Sequence, residues 1–238
     1  MTQRITLWAD PPDHPTVRDV LATLAVELGL PVEDDPAAIR LVITARRMEL
    51  HLPGDTGLPV VIDLSKIDTR SRAGGTLRQP LIKAAGIRTR GDGPTVIDAT
   101  AGFGEDAHLL ASFGCRVTAI ERHGIVAAML REAVGRAGSG IEVVHADACA
   151  ALQQRRAEVV YLDPMYPSGR KTAERKPLRA LRMLVGDDGD AAALLSAAHD
   201  AATKRVVVKR PLRAAPLADK PHHTHEGKAV RYDVYLKT

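Results

Sequence analysis

From Thr95 onward, short apolar runs alternate with longer helical stretches, and this order constrains the fold more than any other feature of the chain. Strands are predicted at 96–97, 117–120, 141–144, 159–162 and 205–209, and helices at 106–112, 124–137, 148–154 and 188–202. Such alternation predicts a parallel sheet covered by helices on both faces. Two further stretches, around 222–226 and 231–236, flank Gly227-Lys228 and predict a terminal antiparallel hairpin.

The first 90 residues predict a smaller α/β unit. Its expected elements are a strand at 5–9, a helix at 16–28, a hairpin of 40–45 with 49–52, a strand near 60–62 and a short helix at 77–85. A loop is expected at 72–75, and Gly91-Asp92-Gly93-Pro94 reads as a linker. We therefore divide the chain into a small N-terminal unit with a basic connector, 1–90, and a main domain, 91–238.

Length and composition set the broad class of the protein. A chain of 238 residues with 45% apolar content can bury a full core. No run reaches the roughly 18 apolar residues of a membrane span, and the first residues do not resemble a signal peptide. Two cysteines, Cys115 and Cys149, fit a reducing compartment. We expect a soluble cytoplasmic protein with no membrane partner.

Basic charge gathers in two places, although the net charge is only +4. Residues 1–69 hold 6 Lys/Arg against 11 Asp/Glu, whereas residues 70–90 hold six basic side chains and no acid. Residues 163–238 hold 15 Lys/Arg against 9 Asp/Glu, and the basic residues that follow 163–167 face only Glu174 nearby in sequence: Arg170, Lys171, Arg175, Lys176, Arg179 and Arg182. This distribution suits either a solvated helix face or a phosphate-rich polymer as substrate.

Acidic residues stand at the ends of four consecutive predicted strands. Asp98 follows the first strand, Glu121 ends the second, Asp147 lies just past the third and Asp163 follows the fourth. The carboxyl edge of a parallel sheet is where its ligands bind. These four acids therefore predict one binding site.

The residue types indicate what this site would hold. After Asp98, the turn that contains Gly102 and Gly104 lets the backbone approach a ligand. Asp98 would hold an ammonium group and repel a pyrophosphate, and Glu121 would accept both ribose hydroxyls of an adenosine. Arg122 would pack on the adenine or cap the next turn. Asp147 would accept the adenine amino group while Ala148 offers its backbone N–H.

The tetrapeptide Asp163-Pro164-Met165-Tyr166, followed by Pro167, predicts a catalytic loop. Its carboxylate or a neighbouring carbonyl would accept the N–H bonds of an exocyclic amine, and proline would fix the backbone. The ring of Tyr166 would stack on a base turned out of its helix. Methyl transfer to a nucleobase nitrogen is the predicted reaction, with Asp163 and Tyr166 as candidate catalytic residues.

A doubly wound, Rossmann-like sheet that closes on an antiparallel hairpin is typical of the S-adenosylmethionine-dependent methyltransferase fold. Five segments carry a family resemblance: Asp98-Ala-Thr-Ala-Gly-Phe-Gly-Glu-Asp106, Glu121-Arg122, Tyr161-Leu-Asp-Pro-Met-Tyr-Pro167, Val206-Val-Val-Lys-Arg-Pro211 and Arg231-Tyr-Asp-Val-Tyr235. Together they resemble the ribosomal RNA small-subunit methyltransferase J family, most closely over residues 70–238.

This resemblance implies transfer of a methyl group from S-adenosylmethionine to the exocyclic N2 of one guanine in 16S ribosomal RNA. It implies cofactor contacts from Glu105, Asp106, Glu121, Arg122, Asp147, Ala148 and Asp163. The family more often has arginine where this chain has Glu105, so a backbone contact is expected there. Tyr166 replaces the more usual phenylalanine, which preserves stacking and adds a hydroxyl.

Three other functions remain open from the residues themselves: an adenine-N6 nucleic-acid methyltransferase, a nicotinamide-dependent oxidoreductase and a non-catalytic RNA-binding module. Asp98 and the terminal hairpin speak against the oxidoreductase. No metal is expected, because His222, His223 and His225 fit an edge strand and neither cysteine lies near them in sequence. The expected partner is small-subunit ribosomal RNA, either free or in the assembled subunit.

Overall fold

The computed structural model describes residues 4–69, 76–165, 176–186, 191–218 and 220–237. The strands are β1 (Ile5–Asp10), β2 (Ile39–Thr44), β3 (Met48–His51), β4 (Thr95–Asp98), β5 (Arg116–Glu121), β6 (Glu142–His145), β7 (Ala157–Leu162), β8 (Ala202–Pro211), β9 (His223–Glu226) and β10 (Val230–Leu236). The helices are α1 (Pro15–Leu28), α2 (Pro80–Ala84), α3 (Glu105–Ser112), α4 (Gly124–Ala137), α5 (Ala148–Gln154), α6 (Lys176–Val185) and α7 (Ala191–Ala201), with a 3-10 turn at Leu64–Lys66.

A seven-stranded sheet forms the centre of the molecule, in the order β6-β5-β4-β7-β8-β10-β9. The strands from β6 to β8 are parallel, and β10 pairs antiparallel with both β8 and β9. The predicted doubly wound α/β sheet with a terminal antiparallel hairpin is therefore confirmed. All five parallel strands point their carboxyl ends to one edge of the sheet.

Apolar side chains on the two faces of this sheet build two cores. In β7, Val159 and Tyr161 face the core that includes α2, α3 and α4, whereas Val160 and Leu162 face the core that includes α5 and α7. The unbroken apolar run of this strand is what burial on both faces requires. The strand ends are thereby fixed in position beneath the loops that carry the acids.

The N-terminal residues form a second, three-stranded sheet, in which β2 lies between a parallel β1 and an antiparallel β3. Its buried residues join the same apolar cluster as α4. Arg136 of α4 also donates to the carbonyl of Ile62 at 2.6 Å. The two sheets thus share a core, and a domain boundary at residue 90 stays a prediction.

Two expectations need correction. The strand expected near 60–62 is a single bridge between Val60 and Leu50, because Pro59 has no N–H to donate and the 3-10 turn starts soon afterwards at Leu64. Helix α6 is absent from the predicted elements, although a solvated helix face is one of the two interpretations of its basic residues. The loop expected at 72–75 lies outside the described residues, as does the start of the helix expected at 188.

Within the described ranges, no helix is long and apolar enough to cross a membrane.

Candidate active site

A cavity of about 690 Å³ opens at the carboxyl edge of the seven-stranded sheet, beyond the ends of β4, β5, β7 and β8. Every residue predicted to bind the cofactor lines it: Asp98, Gly102, Glu105, Asp106, Glu121, Arg122, Asp147, Ala148 and Asp163. Tyr166 lies outside the described residues. The volume is that of a small-molecule site. The structure therefore brings together the acids that the sequence places at separate strand ends.

The turn after β4 presents backbone to the cavity. Gly102 and Gly104 have φ angles of 50° and 75°, which favour glycine, and a Cβ on Gly104 would collide with the side chain of Leu130. Helix α3 begins directly after this turn, at Glu105, whose side chain is exposed. First-turn amides of a helix have no partner within it, so they are available to an anionic group.

Glu121 ties this turn to the end of β5. Its carboxylate accepts the amide of Gly102 at 2.9 Å and the amide of His123 at 2.7 Å, and the residue is only 5% exposed. The residue also lines the cavity, where a carboxylate oxygen can accept from the hydroxyls of a ligand. Glu121 can thus shape the site and also bind within it.

Asp98 is the most deeply buried acid of the cavity, at 1% exposure. Its carboxylate accepts the amide of Thr100 at 3.1 Å. Burial, and then the negative charge of Asp106, raise the pKa of Asp98 well above its ordinary value, and Asp163 acts in the same direction. A cation entering the cavity beside Asp98 would favour its ionised form.

Asp147 caps the N-terminus of α5. Its carboxylate accepts the amide of Ala150 at 2.9 Å while the residue remains exposed to the cavity. Ala148 is the first residue of the helix, so its amide has no intrahelical partner. An acceptor and a donor side by side match the edge of a heterocycle that carries an amino group next to a ring nitrogen.

Helix α6 forms one wall of the cavity through Pro177, Leu178, Leu181 and Val185. Arg122 donates to the carbonyl of Val185 at 3.1 Å, so its guanidinium holds the end of this helix. At the other end, Asp55 of the N-terminal unit lies 3.0 Å from Lys176 and 3.2 Å from Arg179.

The acid that faces these basic residues was therefore missed by the sequence prediction, which considered only Glu174. Asp55 is more than a hundred residues away along the chain and reaches α6 only through the fold. Arg182, from the same basic segment, lines the cavity. Arg170, Lys171 and Arg175 lie outside the described residues.

Lys209 at the end of β8 connects two acids of the site. Its Nζ lies 2.8 Å from Asp106 Oδ2 and 2.9 Å from Asp163 Oδ2, and Tyr161 donates its hydroxyl to Asp106 Oδ2 at 2.6 Å. Burial lowers the pKa of Lys209, but the two carboxylates outweigh it and raise that pKa above its ordinary value. Lys209 is therefore a permanent cation between two acids of the cavity.

Asp163 stands at the mouth of the cavity. Its amide donates to Thr100 Oγ1 at 2.6 Å, which fixes the start of the loop against the turn after β4. The side chain is 37% exposed and lines the cavity together with Pro164 and Met165. A carboxylate that is anchored by Lys209 and partly exposed to the cavity can accept the N–H of an amine.

Comparison with known proteins shows the same fold and motifs elsewhere. A family model of SAM-dependent methyltransferases matches residues 23–237. A ribosomal RNA small subunit methyltransferase J from Chromohalobacter salexigens is 41% identical, over 92% of this chain and 94% of the relative. A protein of the same name from Stutzerimonas stutzeri is 41% identical over 95% and 94%.

This chain belongs to the ribosomal RNA small subunit methyltransferase J family.

Solved structures agree with this family membership. The crystal structure of a SAM-dependent methyltransferase from Neisseria gonorrhoeae has 30% sequence identity to this family member and a TM-score of 0.71, covering 98% of this chain and 96% of that one. A 16S rRNA N2 methyltransferase from Thermus thermophilus, solved with AdoMet and guanosine, shares the fold alone, at 18% identity and a TM-score of 0.50 over 81% of this chain and 47% of that one.

As a family J methyltransferase, the protein uses S-adenosylmethionine, and the cavity fits this cofactor chemically. A buried carboxylate at Asp98 suits an ammonium group, and acidic side chains around it suit a ligand with a cationic sulfur. The glycine turn leaves room for close backbone approach. The fit rests on the donors and acceptors of the cavity as well as on its size.

Lys209 is the residue of this methyltransferase site that the sequence prediction missed. Its signal was present, since the predicted fifth strand, 205–209, ends in lysine, whereas an acid ends or follows each of the four strands before it. Residues 206–211 served as a strand marker and as a segment of the family resemblance, and neither use gave Lys209 a role. The neighbouring position of β7 and β8 is what brings Lys209 to Asp163.

We expect cofactor affinity to depend on the ionisation of Asp98. Since the pKa of this acid is raised and a bound ammonium group would lower it, affinity for S-adenosylmethionine should fall as the pH falls through the raised pKa. Calorimetry in two buffers of different ionisation enthalpy should detect proton release on binding.

Asp98→Asn should weaken binding and abolish the proton release, whereas Asp13→Asn, at an exposed acid outside the cavity, should change neither. Proton release that persists in Asp98→Asn would assign the linkage to another group.

Proposed function

We propose that this protein transfers a methyl group from S-adenosylmethionine to the exocyclic N2 of one guanine in small-subunit ribosomal RNA. The observation that carries the proposal is the placement of Asp163, which Lys209 holds at the open mouth of the cofactor cavity. Family membership supports the class of reaction and the RNA. Guanine N2 is the amine implied by the family resemblance and is to be tested directly.

The cofactor would lie along the carboxyl edge of β4, β5 and β6. Asp98 would hold its ammonium group and Glu121 its ribose hydroxyls, and the amides near Gly102 and Glu105 would face its carboxylate. Asp147 would accept from the adenine amino group, with the amide of Ala148 beside it. When bound, S-adenosylmethionine would supply a methyl group on a cationic sulfur, and that sulfur would keep the electron pair of the carbon–sulfur bond once the methyl group is on the amine nitrogen.

Asp163 would hold and orient the amine. The lone pair of an exocyclic amine is delocalised into the ring, and hydrogen bonds from N–H to a carboxylate favour its release toward the electrophile. The proton lost from the nitrogen would pass to the Asp163 carboxylate, which already accepts its hydrogen bond. Much of the rate enhancement would come from alignment, which the contacts of Asp163 to Lys209 and Thr100 provide.

Tyr166, outside the described residues, would stack on the base once it is turned out of its helix. Aromatic residues make up only 3% of the chain, so stacking cannot supply most of the RNA affinity. Basic side chains would supply it, with strong dependence on salt. The protein would bind the RNA in the cytoplasm, either as free RNA or in the assembled subunit. The methylation assay below therefore uses both forms.

Family membership counts against two alternative functions. An adenine-N6 methyltransferase would use a similar loop, and the identity of the methylated nucleoside distinguishes it. A non-catalytic RNA-binding module has no need for the acidic cofactor cavity.

We predict that labelled S-adenosylmethionine and small subunits lacking the modification, or their extracted RNA, yield N2-methylguanosine at one position. Asp163→Ala should lower the rate by roughly a thousandfold, as loss of a key polar contact to the reacting group does, with RNA affinity almost unchanged. Nucleoside mass spectrometry measures the product, and filter binding measures the affinity.

Asp13→Ala, a change of the same size at an exposed acid, is the control and should retain full activity. Methylated adenosine as the product would refute the guanine assignment. Retained activity in Asp163→Ala, or parallel loss of activity and RNA binding, would refute the role of Asp163.

We also predict that Lys209 positions Asp163. Lys209→Met should lower kcat about a hundredfold, the cost of a misplacement near 1 Å, while KM for S-adenosylmethionine changes little. Removing the cation leaves Asp106 and Asp163 as neighbouring acids, so the acid limb of the pH–rate profile should move to higher pH. Lys209→Arg should restore part of the rate.

The control is Lys66→Met, since the side chain of Lys66 is 77% exposed and lies outside the cavity. A uniform loss of rate in Lys209→Met with an unchanged pH profile would indicate a structural role alone.

A further inference from the structure

A second basic surface lies beside the cavity, on the side of β8 that carries the terminal hairpin. It consists of residues from α2 and its flanks, from β8 and from the hairpin. We name it the basic strip and define it by Arg78, Lys83, Arg88, Arg205, His225 and Lys228. Of these, Arg78, Lys83, Arg88 and Lys228 are exposed.

The fold brings these residues together from distant parts of the chain. Helix α2 packs against β9 and β10. Pro80, its first residue, lies next to Gly227 in the β9–β10 turn, and the guanidinium of Arg205 lies against Gly86 just after the helix. Arg205 is held there by donation to the carbonyl of Ala84 at 3.3 Å. The strip therefore extends from the β9–β10 turn along α2 to Arg205.

One end of the strip meets the catalytic edge. Val230, which follows the β9–β10 turn, pairs with Pro211, and Pro211 lines the cofactor cavity. The other end is Arg205, six residues earlier on β8. At about 3.3 Å per residue, the strip runs for about 20 Å away from the cavity.

The positively charged side chains of the strip lie close to one another. Burial lowers the pKa of His225, and the nearby Lys83, His223 and Arg205 lower it further. Burial and Arg88 lower the pKa of Arg205. The acid of β9, Glu226, is placed opposite Arg231, whose guanidinium pairs with Asp233. The geometry thus gathers like charges on a surface, as a polyanion-binding site requires.

We propose that the basic strip binds the phosphate backbone of the ribosomal RNA that flanks the target guanine. The proposal rests on the proposed function and names where its substrate docks. A nucleic-acid strand in a duplex carries one charge per about 3.4 Å, so a strip of about 20 Å faces about six phosphates. Base recognition stays with the Asp163 loop, and the strip supplies sequence-independent affinity that orients the RNA toward it.

The test compares two charge-reversed proteins. Lys83→Glu combined with Arg88→Glu removes two exposed cations of the strip. Arg46→Glu combined with Arg116→Glu makes the same change in net charge at exposed positions outside the strip, in the β2–β3 turn of the three-stranded sheet and at the start of β5. Binding of small-subunit RNA is measured over a series of salt concentrations, and S-adenosylmethionine affinity by calorimetry.

The strip variant should bind RNA at least about tenfold more weakly, and the slope of log affinity against log salt should fall by about 2, one unit for each lost phosphate contact. The control should stay within about threefold of the unmodified protein, since charges far from the RNA are screened by salt. Both should keep their cofactor affinity. Lys83→Ala with Arg88→Ala, a milder pair, should give the same loss of slope if charge reversal harms folding.

The proposed role of the basic strip is refuted if both charge-reversed proteins bind RNA equally weakly, or if the strip variant binds RNA as well as the unmodified protein does. If the unmodified protein methylates guanine while the strip variant binds RNA normally, only the role of the strip is refuted. If RNA binding depends on the strip but no methylation occurs, the proposed function is refuted instead. If the unmodified protein neither binds nor methylates the RNA, both proposals are refuted.

Discussion

The ammonium group of Lys209, held between the carboxylates of Asp106 and Asp163, is the contact on which the rest of the site depends. Asp98, Asp106 and Asp163 converge on one cavity, where burial, and then the negative charges of Asp106 and Asp163, raise the pKa of Asp98. One fixed cation allows Asp106 and Asp163 to lie close together. The remaining negative charge of the cavity is what a cationic cofactor would meet.

The same cavity depends on contacts between parts that are remote in sequence. Glu121 at the end of β5 holds the glycine turn that follows β4, and Thr100 in that turn holds the start of the Asp163 loop. Asp55 of the N-terminal unit holds the basic end of α6, which walls the cavity. The N-terminal unit therefore contributes to the cofactor site through α6, in addition to sharing a core with α4.

Asp98, Glu121, Asp147 and Asp163 could be predicted to meet at one cavity because strand order alone carries them to one edge of the sheet. It did not predict the contact of Lys209 with Asp106, because that contact joins residues 103 positions apart and depends on which strands are neighbours and where side chains point. The apolar character of Val60 predicts a strand, but Pro59 has no N–H to donate, and only a single bridge forms there. The ion pairs between α6 and Asp55 could not be predicted either, because Asp55 is more than a hundred residues from this helix along the chain.

A crystal structure of the protein with S-adenosylmethionine would give the distance between the cofactor ammonium nitrogen and the carboxylate of Asp98. We expect a contact of about 3 Å, with the methyl carbon facing the exposed side of Asp163 and Lys209 still between Asp106 and Asp163. An ammonium group directed away from Asp98, or an adenosine lying against Asp163, would contradict this expectation.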